Sequence, residues 1–495
     1  MCFKDFQSEV SPTSDLKSQT INGLIWSAIE KFGAQIIHLG IYIVLARQLL
    51  PEHFGLIAML AVFIAVGQTF VDSGFGSALI QKQDTTRIHY SSTFYFNIAL
   101  GLLGAAVLWL SAPYIASFYN QPELVLLTQF MALNLIIGSF GIIQTNIITK
   151  KLDFKTLTKV SLLASVTSGI IGITLAFMGF GVWSLAIQAV SNTLFRTALL
   201  WLLNSWRPSF EFSFQALGEL FGYGSRLLAS SLLDTVFQNI YQITIGKVYS
   251  ATDLGYYTQA RRLEEIPTQT LSSVVGRVAF PAFSKIQNDQ QRLKKGIKKG
   301  LTTLVLFNFP LMIGLAVTAE PLVLVLLTEK WAPAIPYLQV LCIVGLTYPL
   351  HTINLNLLKA KGRSDLFLRL EIIKKVLVVV TIFITYRWGI MAMIYGQVVT
   401  SMVGYFINSY YTGQLIDYNA REQIKDVFPY LAASLFMGTI VYALGTLEFP
   451  NMLTLLIAQV ITGMIVYPTL CFLLRLSAFV EGLDILQSKK GQFMK

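Results

Sequence analysis

Two neighbouring apolar runs hold most of the residues in this chain that could do chemistry. Between Phe221 and Phe283 the sequence reads FGYGSRLLASSLLDTVFQNIYQITIGKVY, then a short break, then LGYYTQARRLEEIPTQTLSSVVGRVAFPAF. Each run exceeds the roughly 20 apolar residues that cross a bilayer. Together they nevertheless contain Arg226, Asp234, Arg261, Arg262, Glu264, Glu265 and Arg277. Charge inside a membrane is costly and marks pathways or binding sites.

In the first run Arg226, Ser230, Asp234, Gln238 and Gln242 recur every four residues, which puts them on one slowly drifting helix face. Such a stripe either lines an aqueous cavity or serves as polar glue against a neighbouring helix. An arginine can grip phosphate through two parallel hydrogen bonds, and a buried carboxyl can exchange protons. In the second run Arg261 and Glu265 are spaced to pair across one turn, whereas the position four after Arg262 is Ile266. Arg262 is therefore the better ligand candidate of the two. Pro267 predicts a kink nearby. Arg261 also lies only about 10 Å into its helix at about 1.5 Å per residue, so hydration from the extracytoplasmic side is an equal reading of this cluster.

The elements that must position these residues follow from composition. The chain has 495 residues, 54% hydrophobic and 13% charged, with a mean hydropathy of +0.61. Soluble domains carry about 25% charged residues, so this is an all-α polytopic membrane protein. Apolar runs predict about fourteen transmembrane helices. Residues 1–20 form a cytosolic leader, 21–203 a six-helix lobe, 204–219 a cytosolic linker and 220–411 a second six-helix lobe. Two more helices fall within 427–474, and 475–495 form a cytosolic tail. The leader lacks the apolar core and small-residue cleavage site of a signal peptide. Lysine and arginine gather in the loops after even-numbered helices and at both termini, so both termini are expected in the cytosol.

An offset of 200 residues lays VLARQLLPEHFGL (44–56) over ITIGKVYSATDLGY (243–256), with Arg47 on Lys247, Phe54 on Leu254 and Gly55 on Gly255. Parallel repeats of this kind are common in transporters. The same offset places Glu30, Ala34 and His38 of the first predicted helix over Ser230, Asp234 and Gln238 in the first helix of the second lobe, with Lys31 one step round. The candidate substrate-binding residues are thus Arg226, Ser230, Asp234, Gln238, Arg261, Arg262, Lys31 and His38. Glu30 and Asp234 are candidates for ion coupling.

Enzymatic readings find little footing. The four histidines lack metal-ligand spacing, and the three cysteines lie far apart. Neither a phosphate-cradling glycine loop nor a nucleophile elbow occurs. No metal or cofactor is expected. The net charge of +11 sits at membrane boundaries, which points to orientation and anionic lipid, with no nucleic acid as partner. The tract RLKKGIKK (292–299) fits that role.

Five segments carry a resemblance: INGLIWSAIEKFG (21–33), VLARQLLPEHFGL (44–56), VDSGFGSALIQ (71–81), GRVAFPAFSKIQND (276–289) and TEKWAPAIPYLQVLCIVGL (328–346). In their order and spacing the chain resembles the bacterial oligosaccharide flippases of the polysaccharide transporter family. That family lies within the multidrug/oligosaccharidyl-lipid/polysaccharide exporter superfamily, and the colanic acid exporter type is the nearest branch. The resemblance implies a V-shaped pair of six-helix lobes that alternates between inward- and outward-open states in the bacterial inner membrane. Its cargo would be an undecaprenyl-pyrophosphate-linked oligosaccharide, flipped to the periplasmic leaflet for surface polysaccharide assembly. Membrane lipids, a polysaccharide polymerase and other glycan-assembly proteins would be its partners. Asp72 of the VDSGFG motif enters as a third ion-coupling candidate on this ground.

Three rivals remain. A drug/cation antiporter of the same superfamily would need only twelve helices. A membrane polysaccharide polymerase or ligase would display a large charged extracytoplasmic loop, and the longest candidate here, 320–333, is short and mostly apolar. A scaffold for the assembly machinery would tolerate loss of the cavity charges.

Overall fold

The computed structural model describes residues 33, 35–72, 74–82 and 84–484, which are helical almost throughout and contain no strand. Residues 35–48 form α1, followed by α2 (Pro51–Asp72), α3 (Phe75–Gln81), α4 (Arg87–Tyr119), α5 (Leu124–Met131), α6 (Leu133–Lys150), α7 (Phe154–Phe177), α8 (Val182–Leu203), α9 (Phe214–Gln238) and α10 (Ile240–Val248). Next come α11 (Ala251–Lys285), α12 (Gln290–Val317), α13 (Ala319–Leu327), α14 (Ala334–Ala360), α15 (Ser364–Thr385), α16 (Ile390–Ile416), α17 (Ala420–Leu444) and α18 (Met452–Leu473). Among the described residues nine helical spans are long and apolar enough to cross a membrane.

Short polar caps set where many of these helices begin. Asp153, Ser213, Asp289, Asn419 and Asn451 each accept a hydrogen bond from a backbone N–H in the first turn of α7, α9, α12, α17 and α18. Those donors would otherwise be orphaned, and a cap of this kind stabilises a helix by about 1 kcal/mol. Arg207 closes the other end of α8, donating to the carbonyls of Trp201, Asn204 and Trp206 while stacking on the Trp201 ring. The segment that follows, from Pro208 to Ser213, is tied to α4 where Ser209 and Ser213 donate their backbone N–H groups to Ser91 and Ser92 Oγ.

The chain forms two compact units, residues 1–255 and 256–495. In the first, α7 packs on α8, α4 on α6, and α9 on α2 and α3. In the second, α12 is central and packs on α14 and α17, while α14 meets α16 and α17 meets α18. Its core runs through Leu301, Leu304, Val305, Leu357, Tyr430 and Met437. Large apolar side chains also cover outer surfaces, including Leu103, Leu110 and Tyr114 on α4 and Met464, Ile465 and Phe472 on α18. Exposure on that scale is ruinous in water and favourable against lipid.

Within the first unit the 200-residue offset is carried into the backbone. α1 ends at residue 48 and α2 starts at Pro51; α10 ends at residue 248 and α11 starts at Ala251. The two hairpin turns then meet reciprocally. A Cβ on Gly55 would fall 1.7 Å from the Ala251 carbonyl oxygen, and a Cβ on Gly255 would fall 2.1 Å from the Pro51 carbonyl oxygen. Only glycine permits this approach of helix to helix at either position.

Two local expectations meet particulars. Residues 320–333, the longest extracytoplasmic loop candidate, contain most of α13 and a 3-10 turn at Glu329–Trp331, with Trp331 fully buried. α11 continues as helix past Pro267.

Candidate functional site

The first unit holds a half-open cavity of about 850 Å³ whose walls come from α2, α3, α6, α8 and α9. Helical spacing explains the lining. Gln68 and Asp72 lie four apart on α2, and Asn192 and Arg196 lie four apart on α8, so each pair shares a face. α6 contributes Gly138, Gly141, Thr145 and Asn146, and α9 contributes Leu227, Leu228 and Ser231.

Many of the hydroxyls and amides are engaged. Thr193 donates to Asn134 Oδ1 at 2.7 Å, Thr197 to the Ile137 carbonyl at 3.2 Å, and Asn192 Nδ2 to Ser168 Oγ at 3.1 Å. Asn146 Nδ2 is buried without a partner. A Cβ on Gly76 would lie 2.4 Å from that nitrogen, so glycine there leaves the amide its room. Asp72 and Arg196 are the charged residues of the lining. Both are exposed to the open space, and among the described residues neither makes an ion pair. The cavity therefore offers one cation, one anion and a wall of hydrogen-bonding groups inside an apolar bundle. This is the composition that suits a polar, phosphate-bearing ligand with neutral hydroxyls.

A polar knot fixes the foot of α9. Glu219 accepts hydrogen bonds from Lys82 and from His89 Nε2, the latter at 3.1 Å. The Lys82 bond, and then the His89 bond, hold the Glu219 carboxyl below the usual glutamate range. Lys150 Nζ donates at 2.7 Å to the Lys82 carbonyl and to Thr85 Oγ1, tying α6 to the same corner.

The sequence-derived candidates fall into several places. Asp72 lines the cavity. Arg226, Ser230, Asp234 and Gln238 are all exposed on α9, and the residues of α9 that meet the cavity are one step round the helix from this stripe. His38 on α1 is half-buried with Nε2 3.2 Å from Ser165 Oγ of α7. In the second unit Arg261 pairs with Glu265 at 2.7 Å, the expected i,i+4 contact, and Arg262 is exposed. Glu30 and Lys31 lie outside the described residues. Arg196, Gln68, Asn146 and Asn192 were not among the candidates. The available signal was Arg196 itself, the only charged residue between Val182 and Leu203.

The fold and this cavity define a multi-pass membrane protein of transporter architecture. A lipid II flippase, MurJ, in an inward closed conformation superposes with a TM-score of 0.75 at 15% identity, covering 91% of this chain and 99% of its own. An inward-facing multidrug resistance transporter of the MATE family in the MOP superfamily superposes with a TM-score of 0.60 at 16% identity, covering 79% and 100%. The chain belongs to the polysaccharide biosynthesis protein family, which matches residues 44–336. It is 29% identical to the teichuronic acid biosynthesis protein TuaB of Bacillus subtilis, over 87% of this chain and 90% of that protein. It is 28% identical to the lipopolysaccharide biosynthesis protein WzxC of Escherichia coli, over 79% and 81%, and 27% identical to the succinoglycan biosynthesis transport protein ExoT of Rhizobium meliloti, over 97% and 98%.

Proposed function

We propose that this protein flips a lipid-linked oligosaccharide, carried on undecaprenyl pyrophosphate, from the cytosolic to the periplasmic leaflet of the bacterial inner membrane. The observation that carries the reading is the large polar cavity in an otherwise apolar bundle, with Arg196 exposed in its wall and, among the described residues, outside any ion pair. The names of relatives point the same way, since they speak of teichuronic acid, succinoglycan and glycan biosynthesis, of transport and of a flippase.

Arg196 takes the pyrophosphate by paired charge-assisted hydrogen bonds. Gln68, Asn146, Asn192 and the threonine hydroxyls receive the sugars, and the prenyl tail stays in lipid, where it costs nothing to leave it. No covalent bond changes, so the chain acts as a transporter. Two six-helix lobes, 21–203 and 220–411, open alternately to either side, joined by 204–219 and accompanied by the two further helices within 427–474. The termini face the cytosol, where glycan-assembly proteins hand over the cargo and a polymerase receives it on the far side. Arg226, Ser230, Asp234, Gln238, Arg261, Arg262, Lys31 and His38 serve as further contacts along the path. Asp72 faces Arg196's cavity as a counter-charge and, with Glu30 and Asp234, is available for ion coupling.

A deletion strain complemented with variants tests this. Lipid-linked repeat units should accumulate on the cytosolic leaflet of the deletion strain. Arg196→Ala should restore export about tenfold or more less well than wild type, given the roughly 1.5–3 kcal/mol carried by a hydrogen bond to a charged group. Full export by a strain lacking the protein would sink the proposal, and full export by Arg196→Ala would remove its site.

A further inference from the structure

One buried carboxyl has no place in that reading. Glu264 on α11 is 7% exposed. Among the described residues it makes no ion pair, since its neighbour Arg261 is held by Glu265 at 2.7 Å. Its hydrogen-bond partner is Thr268 Oγ1, at 3.1 Å from Oε1. That hydroxyl has one hydrogen and also lies 3.0 Å from the Glu264 backbone carbonyl and 3.4 Å from Met312 Sδ. Helical threonines commonly give their hydrogen to the carbonyl four residues back.

The opposite wall is short of hydrogens too. Asn308 on α12 is 1% exposed and spends Nδ2 on the Gly345 carbonyl of α14 at 3.0 Å. Its Oδ1 is buried and has no donor. A Cβ on Gly345 would fall 2.5 Å from both Glu264 Oε1 and Met312 Sδ, so the carboxyl and Asn308 converge on one glycine where α11, α12 and α14 meet. The charged and titratable groups within electrostatic reach are Arg261 and Glu265 on its own helix and Cys342 and Tyr348 on α14; α12 presents Asn308 and Met312.

A carboxylate can accept about four hydrogen bonds and donates none, whereas a carboxylic acid supplies a hydrogen. Glu264 Oε1 shares the Thr268 hydrogen with a backbone carbonyl, and Asn308, which bonds the same Gly345, brings a second buried acceptor without a donor; a proton on the carboxyl relieves its deficit. The sulfurs of Met312 and Cys342 beside the carboxyl suit a proton better than sodium, a hard cation that binds through oxygens.

We propose that Glu264 is a proton-binding site, neutral in this packing, that releases its proton when water enters the junction of α11, α12 and α14. Binding stands on this geometry alone; its coupling to transport rests on the flippase reading above.

The test is labelling of the purified full-length protein with N,N′-dicyclohexylcarbodiimide, which modifies protonated carboxyls in apolar sites, located by peptide mass spectrometry. Glu264 should be modified, with labelling that falls roughly tenfold per pH unit above its titration midpoint. Glu264→Asp should keep pH-dependent labelling and Glu264→Gln should lose it, with both variants eluting as folded monodisperse protein. Sodium should not protect more than potassium. Absence of label at Glu264 at every pH would overturn the site, and selective protection by sodium would reassign it to a metal cation. In cells, Glu264→Gln should export glycan yet lose the response to collapse of the proton gradient; a wild-type response in that variant would overturn the coupling. Absence of glycan export by the wild type would remove the flippase reading while leaving a labelled Glu264 intact.

Discussion

At the scale of single residues, Glu219 shows how an exposed contact can still control a functional helix. Its carboxyl is held below the ordinary glutamate value by Lys82 and His89. A group depressed in the folded state contributes stability that is fully present above its unfolded value of about 4.3 and lost as pH falls through the lower folded one. Wild-type protein in detergent should therefore lose thermal stability as pH drops below about 4, and Glu219→Gln should flatten that limb while lowering the neutral-pH melting temperature slightly. Parallel acid limbs in the two proteins would show that the knot does not hold α9. The same scale shows what the sequence could and could not disclose about the cavity. Four-residue spacing identifies the face bearing Arg226 and Asp234, but it carries no information about what that face meets. Leu227, Leu228 and Ser231 line the cavity instead. Arg196 is visible as a lone charge in an apolar run, but that Asp72 and Asn146 line the same cavity is a tertiary fact with no local signature.

At the scale of elements, the basic tract on α12 has acquired partners. Lys294 pairs with Glu422 at 2.7 Å and Lys298 with Asp426 at 2.6 Å, both across 128 residues of chain. Lys299 reaches Glu481 at 2.5 Å. The constant separation means that α12 and α17 run side by side in one direction, with a two-rung ladder of charge above the apolar core. Asp426 is only 13% exposed, so its rung exceeds the weak surface norm. Lys298→Glu should lower the melting temperature, by about 1 kcal/mol in stability, and the exchange Lys298→Glu with Asp426→Lys should recover most of the loss. An equal loss in the double variant would argue against the ladder. From sequence the tract reads as an orientation signal, because the paired acids lie far beyond any local pattern. Helices were easier to read, because apolar runs are local.

At the scale of the whole molecule, composition establishes an all-helical membrane chain, and the 200-residue offset points to duplication before any contact is known. What the offset does not disclose is that the two matched turns touch. Gly55→Ala and Gly255→Ala each place a methyl into backbone, so each should destabilise by about 1–3 kcal/mol, read as reduced yield of monodisperse protein and a lower melting temperature. Gly40→Ala and Gly222→Ala, whose added methyls meet nothing within 4 Å, are the controls and should be neutral or slightly stabilising. Loss in the controls equal to that in Gly55→Ala would show that the effect does not come from the crossing. The reciprocity has a further consequence. Gly55 receives the backbone at position 251, and Gly255 receives the backbone at position 51, which is the pattern of an isologous contact in a twofold dimer. A half-length ancestor bearing one such hairpin could have paired with its own copy through this contact, with a single glycine codon answerable for both sides. In a single chain each side can drift independently, yet both glycines are still here.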